Sequence, residues 1–163
     1  MTVAEPLDPT LVKSLLTPSS YPHDASAPRG IAHIQTHISH VFLSQDRVYK
    51  LRKAVSPGFL DFSTLAERRA DCIREVDLNR RLALDVYLGV ASVRAVSGGF
   101  EMGPVLDDPA QIESERGELA VVMRRLPDGG DALSLVERHG LSESHVDRVA
   151  ALIARFHAGH RLG

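Results

Sequence analysis

A lysine in the middle of a predicted β-strand is the residue of this sequence with the clearest capacity for chemistry. Two runs rich in β-forming residues, 41–43 and 48–51, flank the polar residues 44–47, and this pattern predicts an antiparallel hairpin. Lys50 lies inside the second strand, among apolar and aromatic residues. Because an ammonium group in such surroundings is costly without an anionic partner, we expect Lys50 to meet the carboxylate of Glu75 and the phosphate groups of a ligand.

Glu75 belongs to a long predicted helix. Thr64 and Glu67 have the spacing of a capping box, which satisfies free backbone amides at a helix start. The residues that follow, to about Ala83, include neither glycine nor proline. A rotation of about 100° per residue places Glu75 on or beside the apolar stripe, with Asp71 nearer the polar side. The predicted neighbours of Glu75 are Cys72, Leu78, Asn79 and Leu82.

Two alternative interpretations of these residues need no ligand. Lys50 also fits an edge strand, where a lysine extends to solvent and discourages pairing with another chain. Glu75 also fits a helix carboxylate that is satisfied by Arg68 or Arg80. Alternation along the strand places Val48 and Arg52 on the same face as Lys50.

The remaining pattern predicts an α+β fold in which an antiparallel five-stranded sheet packs against the long helix. The other predicted strands are residues 31–38, 86–96 and 118–126, with 100–102 returning from the turn after the second of these. Further helices are predicted at 7–16, 132–139 and 142–160, and 104–117 is expected to be an irregular surface insertion. This order predicts a small lobe over residues 1–127, followed at 128–163 by the first helices of a helical lobe.

Composition and charge narrow the class of protein. Hydrophobic residues make up 44% of the 163 residues and charged residues 25%, which is ordinary for a globular domain. The net charge of -2 gives no reason to expect a nucleic acid or an anionic membrane as a partner. The single cysteine excludes an intrachain disulfide and zinc sites built on several cysteines. Since there is neither a signal peptide nor an apolar run of about 18–20 residues, we expect a cytoplasmic protein.

Three histidines near the hairpin, His33, His37 and His40, are candidates for a metal site. Strand alternation is expected to place His33 and His37 on one face and His40 on the other. Because no carboxylate has suitable spacing to complete a ligand set, we expect half-exposed strand residues and no metal site. Cys72, beside Glu75, is expected to be a core residue, because no neighbouring group would lower the pKa of its thiol.

Four sequence blocks carry a resemblance to a known family. They are V-Y-K-L-R-K, G-F-L-D-F-S-T-L, R-E-V-D-L-N-R-R-L with Y-L-G-V, and V-M-R-R-L-P. In this order they resemble the aminoglycoside phosphotransferase-like branch of the protein-kinase-like fold, and more narrowly bacterial proteins that join such a domain to a C-terminal P-loop ATP-binding domain. The resemblance extends over about residues 31–158. It implies a kinase-like small lobe that binds ATP and Mg²⁺, for transfer of the γ-phosphoryl group to a small-molecule hydroxyl.

The resemblance assigns roles to residues from the strands, the long helix and the connector that follows them. They are Lys50, Glu75, Val48, Ser39, Met123, Arg124, Arg125 and Leu126. Lys50 would pair with the α and β phosphates of ATP, Glu75 would orient Lys50, and Val48 would line the adenine pocket. Met123 would precede a hinge at 124–126, whose backbone would meet the adenine edge.

The sequence departs from the family where a loop should cover the phosphates. Ser39 occupies that position, but residues 36–40 contain no glycine, which puts close backbone contacts to phosphate in doubt. A serine hydroxyl or a histidine would have to substitute. This departure favours an alternative function, that of a non-catalytic module of kinase-like fold which senses nucleotide or binds another protein.

No catalytic residue is expected within this chain. Phosphoryl transfer needs a base-like aspartate and metal-binding Asn and Asp residues, which in this fold lie in the large lobe. His145 and Asp147 have the spacing of a catalytic H-x-D motif, but the asparagine position is Leu152 and the segment is helical. We therefore expect a chain that stops inside the second lobe and lacks its partners there, which are the rest of that lobe and a fused P-loop ATPase domain. Its last helix should expose Ile153 and Phe156, which would favour self-association. The sequence does not specify the acceptor substrate.

Overall fold

A computed structural model describes residues 5–159, and over this range the fold is α+β with a six-stranded antiparallel sheet. The strands are β1 (Ala32–Gln35), β2 (Ser39–Leu43), β3 (Arg47–Arg52), β4 (Tyr87–Val96), β5 (Gly99–Met102) and β6 (Leu119–Arg124). The helices are α1 (Pro9–Ser14), α2 (Leu65–Ala83), α3 (Pro109–Ser114), α4 (Ala132–Glu137) and α5 (Glu143–Gly159). The chain divides into two compact units between Arg125 and Leu126, close to the predicted boundary after Pro127.

The last strand of the chain, β6, lies in the middle of the sheet. The strand order is β1-β2-β3-β6-β4-β5, and neighbouring strands are antiparallel. β6 pairs with β3 so that Val121 lies opposite Lys50 and Met123 opposite Val48. The residues of β6 from Leu119 to Val122 are buried, as is typical of a continuous apolar run in a strand that is covered on both faces.

The predicted count of five strands is wrong by one, because residues 99–102 form a strand of their own. β5 pairs with β4 in a hairpin in which Val96 lies opposite Gly99. Gly98, between them, has a φ of 92°, a conformation that residues with a side chain rarely adopt. Residues 100–102 are too few to show a strand period in the sequence, whereas burial of Met102 fixes them against the sheet.

α2 packs across one face of the sheet. The amide of Glu67 donates to Thr64 Oγ1 at 3.2 Å, which confirms the predicted cap, and the helix ends at Ala83 as predicted. A second amide of the first turn, that of Leu65, donates to Glu5 Oε2 at 2.7 Å. The buried residues of this interface form one hydrophobic cluster, which consists of Cys72, Val76, Val90, Ile112, Leu119 and Val121.

The predicted position of two leucines on the buried stripe of α2 is wrong. Leu78 and Leu82 are exposed, although the sequence placed them beside Glu75. The buried residues of α2 are Arg68, Cys72 and Val76, which follow one another at a spacing of four. Leu78 lies two positions beyond Val76, or about 200° around the helix, and therefore on another side.

The other face of the sheet is covered by the N-terminal segment. α1 confirms the helix predicted within residues 7–16, and the amide of Thr10 donates to the capping side chain of Asp8 at 2.7 Å. Leu11, Leu15 and Tyr21 of this segment are buried in a second hydrophobic cluster with sheet residues such as Phe42, Tyr49 and Leu51. The sheet therefore has helical or turn structure packed on both of its faces.

A short helix interrupts the segment 104–117, which was predicted to be irregular throughout. α3 begins at Pro109, and the preceding Asp108 accepts a hydrogen bond from the amide of Ala110 at 2.9 Å. Ile112 of this helix is buried against α2 and β4. The pair Asp108-Pro109 repeats the helix-start signal of Asp8-Pro9, so the sequence did contain the information that was missed.

The second unit contains α4 and α5. The side chains of α5 are exposed or half-buried, with Ile153 exposed as predicted and Phe156 half-buried. The predicted end of this helix at about His160 lies outside the described residues. Within residues 5–159, no helix is both long enough and apolar enough to cross a membrane.

Candidate functional site

The structure brings Lys50 and Glu75 together, although they lie 25 residues apart in the sequence. Lys50 Nζ on β3 donates to Glu75 Oε1 at 2.9 Å and to Oε2 at 3.1 Å on α2. The lysine side chain is 27% exposed and the glutamate side chain 10% exposed. The ammonium group is therefore held by a carboxylate on a packed helix while part of it is still open to solvent.

Strand alternation explains why Lys50 faces α2. Val48, Lys50 and Arg52 point to the same face of β3, and their partners across the ladder share that face. Val48 and Met123, which lie opposite each other, are both half-buried. Lys50 consequently lies beside a partly open apolar surface of the sheet, at the end of which the predicted connector begins.

A second cation, Arg52, joins the same carboxylate. Arg52 Nη2 donates to Glu75 Oε2, and both Nε and Nη2 lie 2.6 Å from Asp71 Oδ2. The guanidinium carbon lies 5.3 Å from the ring centre of Phe62, which is a cation–π distance. Lys50, Arg52, Asp71 and Glu75 thus form a cluster of two positive and two negative side chains, named the four-charge cluster below.

The role of Arg52 and Asp71 in this cluster was not recognised from the sequence. Two signals for it were present. Arg52 shares the face of Lys50, and Asp71 lies four residues before Glu75, which places both carboxylates along one side of α2. Burial opposes the charge of Arg52, but the carboxylates of Glu75 and Asp71 outweigh that effect and raise the pKa of Arg52 above its usual value.

Ser39, predicted to lie at a phosphate-covering loop, is fully buried in the structure. Arg52 Nη1 donates to Ser39 Oγ at 2.9 Å. The turn before it is closed internally, because the amides of Ser39 and Ile38 donate to Thr36 Oγ1 at 3.0 and 3.4 Å. The Ser39 hydroxyl is therefore directed to the four-charge cluster and not to the outer surface.

Two of the residues predicted as a hinge, Arg124 and Arg125, donate backbone hydrogen bonds to neighbouring segments. The amide of Arg124 donates to Val86 O and that of Arg125 to Asp46 O, both at 2.8 Å. The Arg124 side chain forms an exposed ion pair with Asp85 at 2.6 Å. Leu126 begins the second unit and is exposed.

The alternative partners of Glu75 are used elsewhere. Arg68 is buried and pairs with Glu118, with Nη2 at 2.6 Å from Oε1. Arg80 Nε donates to the carbonyl oxygen of Tyr87 at 2.8 Å, and its Nη2 donates to that of Leu88. The interpretation of Glu75 as a carboxylate satisfied by Arg68 or Arg80 is therefore wrong.

An apolar cavity of about 170 Å³ lies between α2, β4 and α3 and does not include Lys50. Its apolar lining includes Ile73, Val76, Leu106 and Ile112. The four-charge cluster thus lies outside this cavity, at a partly open edge of the sheet–helix interface.

The predicted arrangement of the histidines is wrong, because His33 and His40 lie on the same face. His33 pairs with Phe42, and its Nε2 lies 3.2 Å from His40 Nδ1. A turn separates β1 from β2, so alternation does not continue from residue 33 to residue 40. Burial, with Lys53 and His33 nearby, lowers the pKa of His40 to about 4. Over residues 5–159 no group of three or more His, Cys, Asp or Glu side chains is arranged to hold a metal ion.

Cys72 is a core residue, as predicted. Its thiol is fully buried and donates to the carbonyl oxygen of Leu119 at 3.3 Å. Burial raises the pKa of Cys72 to about 12, so the thiol is a poor nucleophile. His145 and Asp147, the pair with the spacing of a catalytic motif, are exposed residues of α5.

Comparison with curated proteins finds relatives in mycobacteria. An uncharacterized protein of Mycobacterium tuberculosis H37Rv is 37% identical over 123 residues, which is 76% of this chain and 22% of the relative. Uncharacterized proteins of M. tuberculosis CDC 1551 and of M. bovis match with the same identity and coverage. The chain therefore spans about a fifth of the length of the curated relatives it matches. No family model matches the chain, and no solved structure matches it.

Proposed function

We propose that the first unit binds ATP together with Mg²⁺ and is the small lobe of an aminoglycoside phosphotransferase-like kinase. The observation that carries this proposal is the contact of Lys50 Nζ with both carboxylate oxygens of Glu75, at 2.9 and 3.1 Å. A polyphosphate needs a cation at a fixed place, and a lysine is a long, mobile side chain. A carboxylate on a packed helix fixes it at the sheet face.

The exposed part of Lys50 is where the α and β phosphates of the nucleotide would bind. Its ammonium group has three N–H donors, and Glu75 occupies only one side of it. A phosphate oxygen can take the open side without displacing the carboxylate. The two anions would then hold the lysine between them, as expected for a residue that positions phosphates.

The adenine ring would lie on the half-buried pair of Val48 and Met123. These side chains face each other across β3 and β6, next to Lys50 on the same side of the sheet. The amides of Arg124 and Arg125 already donate to Val86 O and Asp46 O, so the polar contacts to the edge of the base would come from the remaining backbone groups of 124–126. The apolar surface and the cation together match the two chemical halves of a nucleotide.

Residues that complete a phosphoryl transfer would come from a longer chain. The described residues hold no cluster of metal ligands, so Mg²⁺ would enter with the nucleotide and be held by residues outside this range. The acceptor is a small-molecule hydroxyl of unknown identity. The curated relatives are several times longer than the chain, which leaves room for a large lobe and a fused P-loop ATPase domain. A cytoplasmic location, where ATP is abundant, is part of the proposal.

A non-catalytic module is the second candidate, and one observation favours it. The amides of Ile38 and Ser39 donate to Thr36 Oγ1, so the turn at the expected phosphate-covering position already uses these donors within itself. A site without backbone contacts to the phosphates would bind nucleotide through Lys50 alone and more weakly. Such a unit would suit nucleotide sensing or binding of a protein partner.

Titration with MgATP tests nucleotide binding directly. The expected result is a rise in melting temperature, with NMR shift changes at Val48, Lys50 and Met123. Lys50→Met should abolish both, whereas Lys13→Met, the same change on the exposed face of α1, should leave them intact. No response of the wild-type chain at millimolar MgATP would overturn the proposal. Nucleotide binding without ATP consumption by a chain of the relatives' length would support the module instead of the kinase.

A further inference from the structure

We propose that Arg52 is a positioning residue of the nucleotide site. Its guanidinium fork holds Glu75 in the orientation in which the carboxylate grips Lys50. This inference rests on the proposed nucleotide-binding function, but the contacts that carry it are independent of any ligand.

Arg52 is too enclosed to touch a ligand itself. Its side chain is 6% exposed, whereas that of Lys50 is 27% exposed. Each guanidinium nitrogen of Arg52 has an acceptor in the protein. Nε and Nη2 contact Asp71, Nη2 also contacts Glu75, and Nη1 contacts Ser39. Apart from its charge, Arg52 can therefore act on a bound anion only through the groups that it holds, among them Glu75.

The neighbours of Arg52 fix the plane of its guanidinium group. Asp71 lies one helical turn before Glu75, Ser39 belongs to the neighbouring strand, and the ring of Phe62 lies 5.3 Å from the guanidinium carbon. These contacts come from β2, from α2 and from the segment before α2. A planar fork fixed in this way determines where Glu75 Oε2 lies, which an ammonium group with freely rotating donors would not do.

The arrangement also explains how Glu75 keeps a partner when a phosphate competes for Lys50. Glu75 Oε1 contacts Lys50, and Oε2 contacts both Lys50 and Arg52. If Lys50 turns toward a phosphate, the bond from Arg52 to Oε2 persists and the carboxylate stays in place. The helix is then held to the sheet in both the free and the occupied states.

Two substitutions separate positioning by the fork from a simple effect of charge. Arg52→Lys keeps the charge but loses the fork, and Asp71→Asn removes a negative charge while it loosens Arg52. If positioning is correct, each should weaken MgATP binding about tenfold or more. If only charge mattered, Arg52→Lys would bind as the wild type does and Asp71→Asn would bind more tightly, and this pair of results would overturn the proposal.

Arg47→Gln is the matched control for the loss of an arginine from β3. Arg47 points to the opposite face of the strand from Lys50, and its Nη1 donates to the carbonyl oxygen of His23. We expect this variant to bind MgATP within about twofold of the wild type. A tenfold loss in Arg47→Gln would show that any arginine removed from β3 disturbs the site and would overturn a specific role for Arg52.

A second measurement needs no nucleotide and uses the three lysines of the chain, Lys13, Lys50 and Lys53. Acylation by a small amine reagent, followed by mass spectrometry, gives the modification rate of each. Loosening of Glu75 in Arg52→Gln or Asp71→Asn should raise the rate at Lys50 at least threefold relative to the other two. Lys53, whose Nζ donates to Thr36 O at 2.7 Å, reports general loss of structure.

Unchanged acylation of Lys50, or equal acceleration at Lys50 and Lys53, would overturn the positioning role of Arg52. This readout also distinguishes the two proposals. A wild-type chain that does not bind MgATP ends the proposed function, and the acylation rates still decide whether Arg52 holds Glu75 against Lys50.

Discussion

Two sets of ion pairs join α2 to the sheet, and they differ in access to solvent. Near the start of the helix, Arg68 pairs with Glu118, and these side chains are 2% and 11% exposed. Further along, Glu75 pairs with Lys50, which is 27% exposed, and with Arg52. The first pair is almost completely enclosed, whereas the second leaves one cation partly open.

The difference shows how one helix combines an enclosed contact with one that stays partly open to solvent. Arg68 Nε and Nη2 donate to Glu118, and Nη1 donates to the carbonyl oxygens of Phe62 and Ser63. Each guanidinium nitrogen of Arg68 thus has an acceptor inside the protein, and the side chain is too buried to contact a ligand. Lys50 has a carboxylate on one side and solvent on another, so it can take a second anion while Arg68 and Glu118 hold the helix in place.

The largest expected effect is on stability, from a substitution in the enclosed pair. Glu118→Ala leaves the buried guanidinium of Arg68 without a counter-charge and should cost about 3–5 kcal/mol in the free energy of unfolding. Urea denaturation followed by circular dichroism measures this loss. Glu113→Ala, the loss of an exposed carboxylate on α3, is the control. A cost below about 1 kcal/mol for Glu118→Ala would contradict the description of this pair as enclosed.

The next largest loss of stability is expected in the Lys50–Glu75 pair, and it should be larger when Glu75 is substituted than when Lys50 is. Glu75→Gln takes a charged partner from buried Arg52 as well as from Lys50, and should cost about 1–3 kcal/mol in stability. Lys50→Met leaves Glu75 bonded to Arg52 and should cost less than about 1 kcal/mol. The same urea experiment measures both variants. Equal costs would show that Arg52 does not share the carboxylate in solution.

A half-buried histidine of β2, His40, predicts an acid-dependent loss of stability. The pKa of His40 is lowered from 6.5 to about 4, by burial and by Lys53 and His33 beside it. Between these two pH values the unfolded chain binds a proton that the folded chain does not. The contribution of neutral His40 should therefore be complete above about pH 6.5 and decline as the pH falls toward 4.

The urea midpoint at pH 7 and at pH 5 checks this dependence. His40→Gln should make the difference between the two midpoints smaller, because the imidazole that resists protonation has been removed. His37→Gln, in an exposed position of the turn, should leave the difference as it is in the wild type. If both variants keep the wild-type difference, His40 does not contribute to the acid sensitivity.

The smallest effect is expected at the exposed ion pair of Arg124 and Asp85. Their side chains are exposed, so solvent screens the attraction between them. Asp85→Asn should leave the urea midpoint unchanged within error, in contrast to Glu118→Ala and Glu75→Gln. A loss as large as that of Glu75→Gln would mean that exposure does not rank the ion pairs of this protein.

Much of the local structure could be predicted because it depends on neighbours in the sequence. The hairpin of β2 and β3 follows from alternation around polar turn residues, and α2 follows from its threonine cap and uninterrupted helix formers. α3 was missed although Asp108-Pro109 is the same start signal as Asp8-Pro9, which identified α1. β5 was not counted as a strand because residues 100–102 are too few to show a strand period.

The candidate site could be predicted only in part. The lysine on its strand and the glutamate on its helix could be identified from local patterns and from the resemblance of the surrounding blocks. Arg52, Asp71 and Ser39 could not be assigned to the same cluster, because their contacts depend on how far α2 lies along the sheet. Leu78 and His40 were assigned to the wrong faces for a related reason. The prediction for Leu78 depended on which side of α2 is buried, and the prediction for His40 depended on one strand continuing from residue 33 to residue 40, where the structure has a turn.

The sequence by itself determined where strands and helices form, and which charged residues each of them presents on a given face. Only the tertiary structure decided which charges meet, because β6 lies between β3 and β4 in the sheet and α2 packs against β4 and β6. Pairing of Arg68 with Glu118 joins residues 50 positions apart, and no local period specifies such a contact. The physical reason is that secondary structure follows from short-range geometry. The partner of a buried charge depends instead on which elements pack together and exclude water from around that charge.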